Sequence, residues 1–210
     1  MIRSVMFDFG GVITDSPFDA FQNYEQAQGL PVGTIRTINS TNPHDNAWAQ
    51  FERGDVDMSR FCDLFEAEAL TAGYRVDAHA VMAGLRGEVR SAMVEAVRRC
   101  SKRYKTACLT NNFVVDQAAD PETARPDIAE ILALFDLVLE SSKVGVRKPD
   151  PRFYEMACEA LLVTPDEVVY LDDLGINLKP ARAMGMRTIK VVSADQALEE
   201  LSSILGMPLG

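Results

Sequence analysis

Histidine is nearly missing from this 210-residue chain, with only His44 and His79 present. Imidazole therefore has little scope as a general base or metal ligand, and catalysis is expected to rest on carboxylates. Cysteine is scarce as well. Cys62, Cys100, Cys108 and Cys158 form no C-x-x-C pair, and no histidine stands at zinc-ligand spacing from them. That pattern argues against a zinc site or a disulfide framework and reads as reduced, buried thiols in a cytoplasmic protein. No apolar run approaches the roughly 18 residues of a membrane span. Residues 1–5 enter a strand directly, with no signal peptide before them, so no membrane association is expected. Basic charge is short: 21 Lys and Arg against 31 Asp and Glu leave a net charge of −10. Such a chain repels nucleic acid at long range, although a locally positive pocket could still hold a small phosphate. Repeats and low-complexity segments are also missing.

What is present is ordinary for a globular protein: 47% apolar and 25% charged residues. The length, at about 1.4 times a typical domain, allows a core with a smaller insert. Residues 2–9 are short, apolar and partly β-branched, and end in Gly10-Gly11, as a strand entering a tight loop does. Ser16-Pro17 has the form of an N-cap with proline at the first helical position. From about residue 17 to residue 86 no strand is legible. Trp48 and Phe51 form a helical pair stopped by Gly54, and Asp57 is a plausible cap before Phe61, Leu64, Phe65 and Ala69. Trp48 and Phe51 read first as core of that stretch, although with His44 they could line a pocket. His44 itself reads as a loop residue and His79 as surface.

Beyond residue 86 the pattern becomes regular. Val89, Met93, Ala96, Val97 and Cys100 mark a helical face. Strands are expected at 106–109, 135–139, 168–171 and 188–192. Helices are expected at 128–134, along Phe153, Met156, Ala157, Ala160 and Leu161, around 180–184, and over 195–205. Residues 114–126 read as a loop. Strands alternating with helices imply an α/β fold with a parallel sheet covered on both faces. The expected division is a core of residues 1–16 and 87–210 with a helical insert of residues 17–86.

Ligands of open α/β sheets bind beyond the carboxyl ends of the strands. Asp8, Gly10 and Gly11 follow the first strand; Thr110, Asn111 and Asn112 follow the second. Asp172 and Asp173 follow the fourth, and Lys148 stands in Arg147-Lys148-Pro149-Asp150-Pro151 just before a helix. Singly, each has a plain explanation. A strand-end Asp caps helices, Asp172-Asp173 with Asn177 could start one, Thr-Asn-Asn makes a turn, and a lone Lys is usually solvated. Together they place three carboxylates, a hydroxyl, an amide and an ammonium along one edge. Clustered carboxylates need a positive neighbour, and hard oxygen donors from Asp8, Asp173 and Asp172 suit Mg²⁺. A carboxylate can serve as a nucleophile toward phosphorus, with Lys148 and the Thr110 hydroxyl neutralising and binding phosphoryl oxygens. Gly10 and Gly11 would let the backbone approach closely.

In this order the segments resemble the haloacid dehalogenase-like (HAD) hydrolase superfamily. Phe7-Asp8-Phe9-Gly10-Gly11-Val12 is similar to its first motif and Leu109-Thr110-Asn111-Asn112 to its second. Lys148-Pro149-Asp150-Pro151 is similar to the third, and Leu171-Asp172-Asp173 through Asn177 to the fourth. Residues 168–186 are similar to the N-terminal phosphatase domain of soluble epoxide hydrolases. The resemblance implies a Rossmann-like core with an inserted helical cap and a small phosphorylated metabolite as substrate. It further implies Asp8 as nucleophile, and Thr110 and Lys148 holding the phosphoryl group with help from Asn111. Mg²⁺ would lie on Asp8, Asp173 and the Gly10 carbonyl, with Asp172 and Asn177 supporting or occasionally ligating.

One departure bears on chemistry. The family's phosphatases usually carry an acid/base Asp two residues after the nucleophile, where this chain has Gly10. Such help is worth about 10²–10⁴-fold. The chain is thus expected to be a slow phosphatase, to use a good leaving group, or to draw an acid from the insert. Glu52 and Asp15 are the candidates, although Glu52 reads more simply as a helix-surface residue. The family's metal-independent 2-haloacid dehalogenases also lack the second Asp, so that activity stays open, as does a catalytically weak binding module. The paired Asp172-Asp173 favours the phosphatase. Neither substrate identity nor oligomeric state is legible.

Overall fold

The computed structural model describes residues 1–85, 87–111 and 125–209. In chain order the elements are β1 (Ser4–Phe7), α1 (Pro17–Ala27), α2 (Thr34–Ser40), α3 (Ala47–Glu52), α4 (Met58–Thr71), α5 (Ala78–Ala83), α6 (Ser91–Cys100) and β2 (Lys105–Thr110). They continue with α7 (Pro126–Leu132), β3 (Leu137–Glu140), α8 (Ser141–Val144), α9 (Pro151–Leu161), β4 (Val168–Asp172), α10 (Gly175–Ala183), β5 (Arg187–Lys190) and α11 (Ala194–Leu205). The five strands form one parallel sheet in the order β3-β2-β1-β4-β5. This is the expected α/β, Rossmann-like arrangement with a helical insertion after the first strand.

The sheet is buried on both faces because its strands are apolar at successive positions, and alternation decides which layer each side chain joins. Val5, Phe7, Cys108, Val169 and Leu171 pack under α6 and α11 with Met93, Val97, Leu198 and Leu201. Met6, Ala107, Leu109, Val168 and Tyr170 pack against α9 and α10 through Phe153, Tyr154, Ala157 and Leu178. Helices α1 to α5 share a third core in which Trp48 lies between Phe21 and Phe61, and Phe51 stacks on Phe61 with ring centroids 4.5 Å apart. Trp48 and Phe51 are thus buried packing residues. Ser16 caps α1, with Pro17 as its first residue, and Asp57 caps α4 by accepting from Arg60 N at 2.8 Å.

Some local expectations shift. Val89 lies outside the helix, which begins at Ser91; it pairs instead with Thr14 in an isolated antiparallel bridge between the two chain segments flanking the insertion. The buried face of α9 is Phe153, Tyr154, Ala157, Cys158 and Leu161, leaving Ala160 in solvent. Helix α10 starts at Gly175 rather than near Pro180, because the chain turns directly after Asp173. Residues 114–124 of the expected loop lie outside the described residues, as does Asn112, while Pro126 opens α7. All four cysteines are buried and free, and among the described residues no helix is long and apolar enough to cross a membrane.

Candidate active site

The chain builds outward from β1 to β2 and β3, then returns to the other side of β1 for β4 and β5. The reversal separates the loops leaving β1 and β4, and a crevice opens at their carboxyl ends. Phe7 is in register with Leu171, so Asp8 and Asp172 leave adjacent strands side by side, and Asp8 N donates to Leu171 O at 2.8 Å.

Lys148 joins them. Its buried Nζ lies 2.8 Å from Asp8 Oδ1 and 3.0 Å from Asp172 Oδ2. Asp8 Oδ1 also accepts from Phe9 N at 2.6 Å. Asp172 is fully buried and saturated with donors. Besides Lys148, it accepts from the Tyr170 hydroxyl, from Leu174 N at 2.7 Å, and from Asn177 Nδ2 at 3.1 Å to each oxygen. Asn177 is held in turn by Tyr154, whose hydroxyl donates to its carbonyl at 2.7 Å. Asp173 accepts from Ser16 Oγ at 3.2 Å, and ligand oxygens of Asp8, Asp172 and Asp173 lie within 4.8 Å of one another.

The electrostatics follow from one ammonium serving three carboxylates. Burial disfavours ionisation of Asp172, yet Lys148, the Tyr170 hydroxyl and Leu174 N outweigh it and hold the carboxyl below its usual range. Asp8 bears the cost: burial pushes it well above the usual range, Lys148 opposes, and Asp172 and Asp173 push it further. Asp173 is raised by burial and by Asp172. Burial alone would lower the Lys148 ammonium, but Asp172 and Asp8 together raise it, so it stays charged. This residual negative charge, carried by hard oxygen donors, suits a divalent cation of the Mg²⁺ type.

The remaining expected residues meet the same edge. Thr110 ends β2 in register with Glu140. Asn111 clasps Lys148, its Oδ1 accepting from Lys148 N at 2.8 Å and its Nδ2 donating to Lys148 O at 3.0 Å. Gly11 has φ +75°, and a Cβ there would stand 2.3 Å from Asp173 Oδ2. Gly10 faces no such limit, since a Cβ would meet only the Pro17 ring at 3.5 Å.

Glu52 is not a surface residue. Its carboxylate lies at the junction of insertion and sheet, 2.6 Å from Arg147 Nε and 3.1 Å from Asn111 Nδ2. Burial pushes its carboxyl up, with Arg147 opposing. Asp15 is half-exposed and pairs with Arg90 at 3.4 Å. Arg90, Arg147, Tyr170 and Ser16 are structural members of this edge to which the sequence reading gave no place in the site, Ser16 having been read only as a helix cap. Arg147 had a signal in its adjacency to Lys148. Tyr170 was masked by the apolar run of its strand, and Arg90, which donates to Gly11 O at 2.8 Å, had no local signal.

Comparison with known proteins gives the family and the fold. The sequence model of the haloacid dehalogenase-like hydrolases matches residues 2–185. Bifunctional epoxide hydrolase 2 of Sus scrofa is 30% identical over 220 residues, covering 99% of this chain and 40% of that protein. Phosphatase MT3486 of Mycobacterium tuberculosis is 29% identical, covering 97% of this chain and 95% of that one. The chain spans two fifths or less of the length of the first curated relatives it matches. Among solved structures, a HAD family enzyme from Bacteroides thetaiotaomicron, in complex with magnesium and inorganic phosphate, superposes with a TM-score of 0.61 at 20% identity. That match covers 90% of this chain and 93% of the other.

Proposed function

Because the chain belongs to the haloacid dehalogenase-like hydrolase family, we propose that it is a Mg²⁺-dependent phosphatase of small phosphate monoesters that works through an aspartyl phosphate on Asp8. The observation that carries this reading is Lys148 bridging Asp8 and Asp172 beside Asp173, one ammonium among three carboxylates at the switch point of the sheet. Relatives named as phosphatases, among them phosphatase MT3486, support the same direction.

Asp8 and Asp173, with the Gly10 carbonyl, would hold the ion, and Asp172 would serve as counter-ion to Lys148, since its oxygens already accept from four groups. A bound Mg²⁺ supplies charge neutralisation for the phosphoryl oxygens and for Asp8. Asp8 attacks phosphorus, the ester P–O bond breaks, and the leaving oxygen departs with a proton from solvent. Lys148 and Thr110 hold the phosphoryl oxygens through both displacements. Water then attacks the phospho-Asp8, releasing phosphate and restoring the carboxylate. Helices α1 to α5 act as a cap, with residues 17–86 forming that unit and residues 1–16 and 87–210 the core.

The decisive variant is Asp8→Asn. Phosphate release from p-nitrophenyl phosphate with Mg²⁺ should fall at least about 10³-fold, since the nucleophile is lost. Unchanged turnover would end the assignment. Halide release from a 2-haloacid in the presence of EDTA would favour the dehalogenase instead.

A further inference from the structure

The helical insertion meets the segment around Lys148 through the Glu52 carboxylate, by way of Asn111. Glu52 is the last residue of α3, and its backbone carbonyl is fixed by the Ser141 hydroxyl at 2.5 Å. Gly54 just beyond it lies so close to α8 that a Cβ would stand 2.7 Å from Ser142 O. The end of α3 is therefore seated on the core, with Arg147 closing it from the other side: its guanidinium pairs with Glu52 and also donates to Pro43 O at 3.0 Å.

Asn111 connects this contact to Lys148. Its amide has one oxygen and two N–H groups. The oxygen accepts from Lys148 N, and Nδ2 donates both to Lys148 O and to Glu52 Oε2. Turning the amide over would set Nδ2 against the Lys148 N–H and the oxygen against both Lys148 O and the Glu52 carboxylate, three repulsive contacts. Glu52 thus adds a third contact that favours the amide orientation gripping both backbone groups of Lys148, and it holds the Asn111 side chain against the insertion.

We propose that Glu52 is a positioning residue that acts across the junction: it locks Asn111, Asn111 locks Lys148, and the phosphate-binding ammonium is fully set only while the insertion is seated. This rests on the phosphatase reading, in which Lys148 binds the transferred group. It also assigns Glu52 a task other than the missing proton donor, because its carboxylate is already engaged by Arg147 and Asn111.

The test compares Glu52→Ala, Glu52→Gln and Arg147→Met in the full chain with Mg²⁺, using p-nitrophenyl phosphate as substrate and inorganic phosphate as competitive inhibitor. Glu52→Ala should lower kcat/KM about tenfold or more and raise the inhibition constant of phosphate by a similar factor, the loss expected for one hydrogen bond to a charged group. Glu52→Gln keeps an oxygen for Asn111 Nδ2 and should recover to within about threefold of the parent. If Glu52 merely fastens the insertion by its ion pair, Glu52→Gln and Arg147→Met would both match Glu52→Ala, and the inference falls. Should Glu52→Ala fail to fold, the Gln and Met variants decide by the same comparison. Turnover that is abolished by Asp8→Asn but equal in Glu52→Ala and the parent overturns this inference alone. Turnover that survives Asp8→Asn overturns the phosphatase reading beneath it.

Discussion

Gly10 and Gly11 are neighbours under different constraints. At Gly11 the backbone is left-handed and Asp173 lies where a side chain would begin. Gly11→Ala therefore carries the strain of a non-glycine residue at positive φ, about 1 kcal/mol or more, and displaces a carboxylate of the proposed ion site. Mg²⁺-dependent turnover should be lost while the protein still folds, which circular dichroism and phosphate release check together. At Gly10 the backbone permits a side chain, so the missing acid is a matter of chemistry and not of space. Gly10→Asp should raise kcat on alkyl phosphates by about tenfold or more, a fraction of what general acid–base help can give. It should change aryl phosphates, whose leaving groups need no proton, much less. Equal effects on both substrates would show that leaving-group protonation is not what the position controls. At this scale the gathering of Asp8, Thr110, Asp172 and Asp173 on one edge was legible because each stands at the end of a strand, and that of Lys148 because it stands just before α9. Glu52 was misread because its partners Asn111 and Arg147 lie 59 and 95 positions along the chain, and no local pattern encodes a pairing of that range.

The elements were read where one signal dominates. Helix α4 has a capping Asp57, a face of Phe61, Phe65 and Ala69, and a stop at Gly73, and its sequence announced all but the stop. Asp57→Ala should cost about 1 kcal/mol, the usual value of an N-cap, and lower Tm by about 2–4 °C for a chain of this length. Because Asp57 is not part of the proposed site, kcat should hold, and a drop in kcat without loss of Tm would mean that α4 does more than support the insertion. Boundaries slipped where two structures fit the same residues. Val89 continues the apolar spacing of α6 but is drawn into the bridge with Thr14, and Arg90 N then bonds Ile13 O at 2.8 Å. That bridge depends on bringing together segments 75 positions apart, which helical periodicity cannot foresee. Cys158 took the place on the buried face of α9 that Ala160 was expected to hold, because Phe153 and Tyr154 both face the sheet and rotate the stripe.

Over the whole molecule the net charge is −10, and at one point three carboxylates meet a single ammonium at the edge of the sheet. Folding has to assemble that repulsion, since burial and the neighbouring aspartates hold the Asp8 and Asp173 carboxyls above their usual range. A cation bound there relieves it in the folded state and finds no comparable cluster in the unfolded chain. Mg²⁺ should therefore raise Tm in proportion to the logarithm of its concentration once it exceeds its dissociation constant. At a hundredfold excess the gain is about 2.7 kcal/mol, or roughly 5–11 °C for a chain of this length. Asp173→Asn should flatten the dependence and, by removing a repelling charge, should leave the metal-free protein at least as stable as the parent. Thermal scans of both proteins in EDTA and across a Mg²⁺ series measure the effect without any substrate. An identical Tm in Mg²⁺ and EDTA for the parent would leave the carboxylates without a cation to hold, and the reading of this edge as a metal-assisted phosphatase site would fail with it.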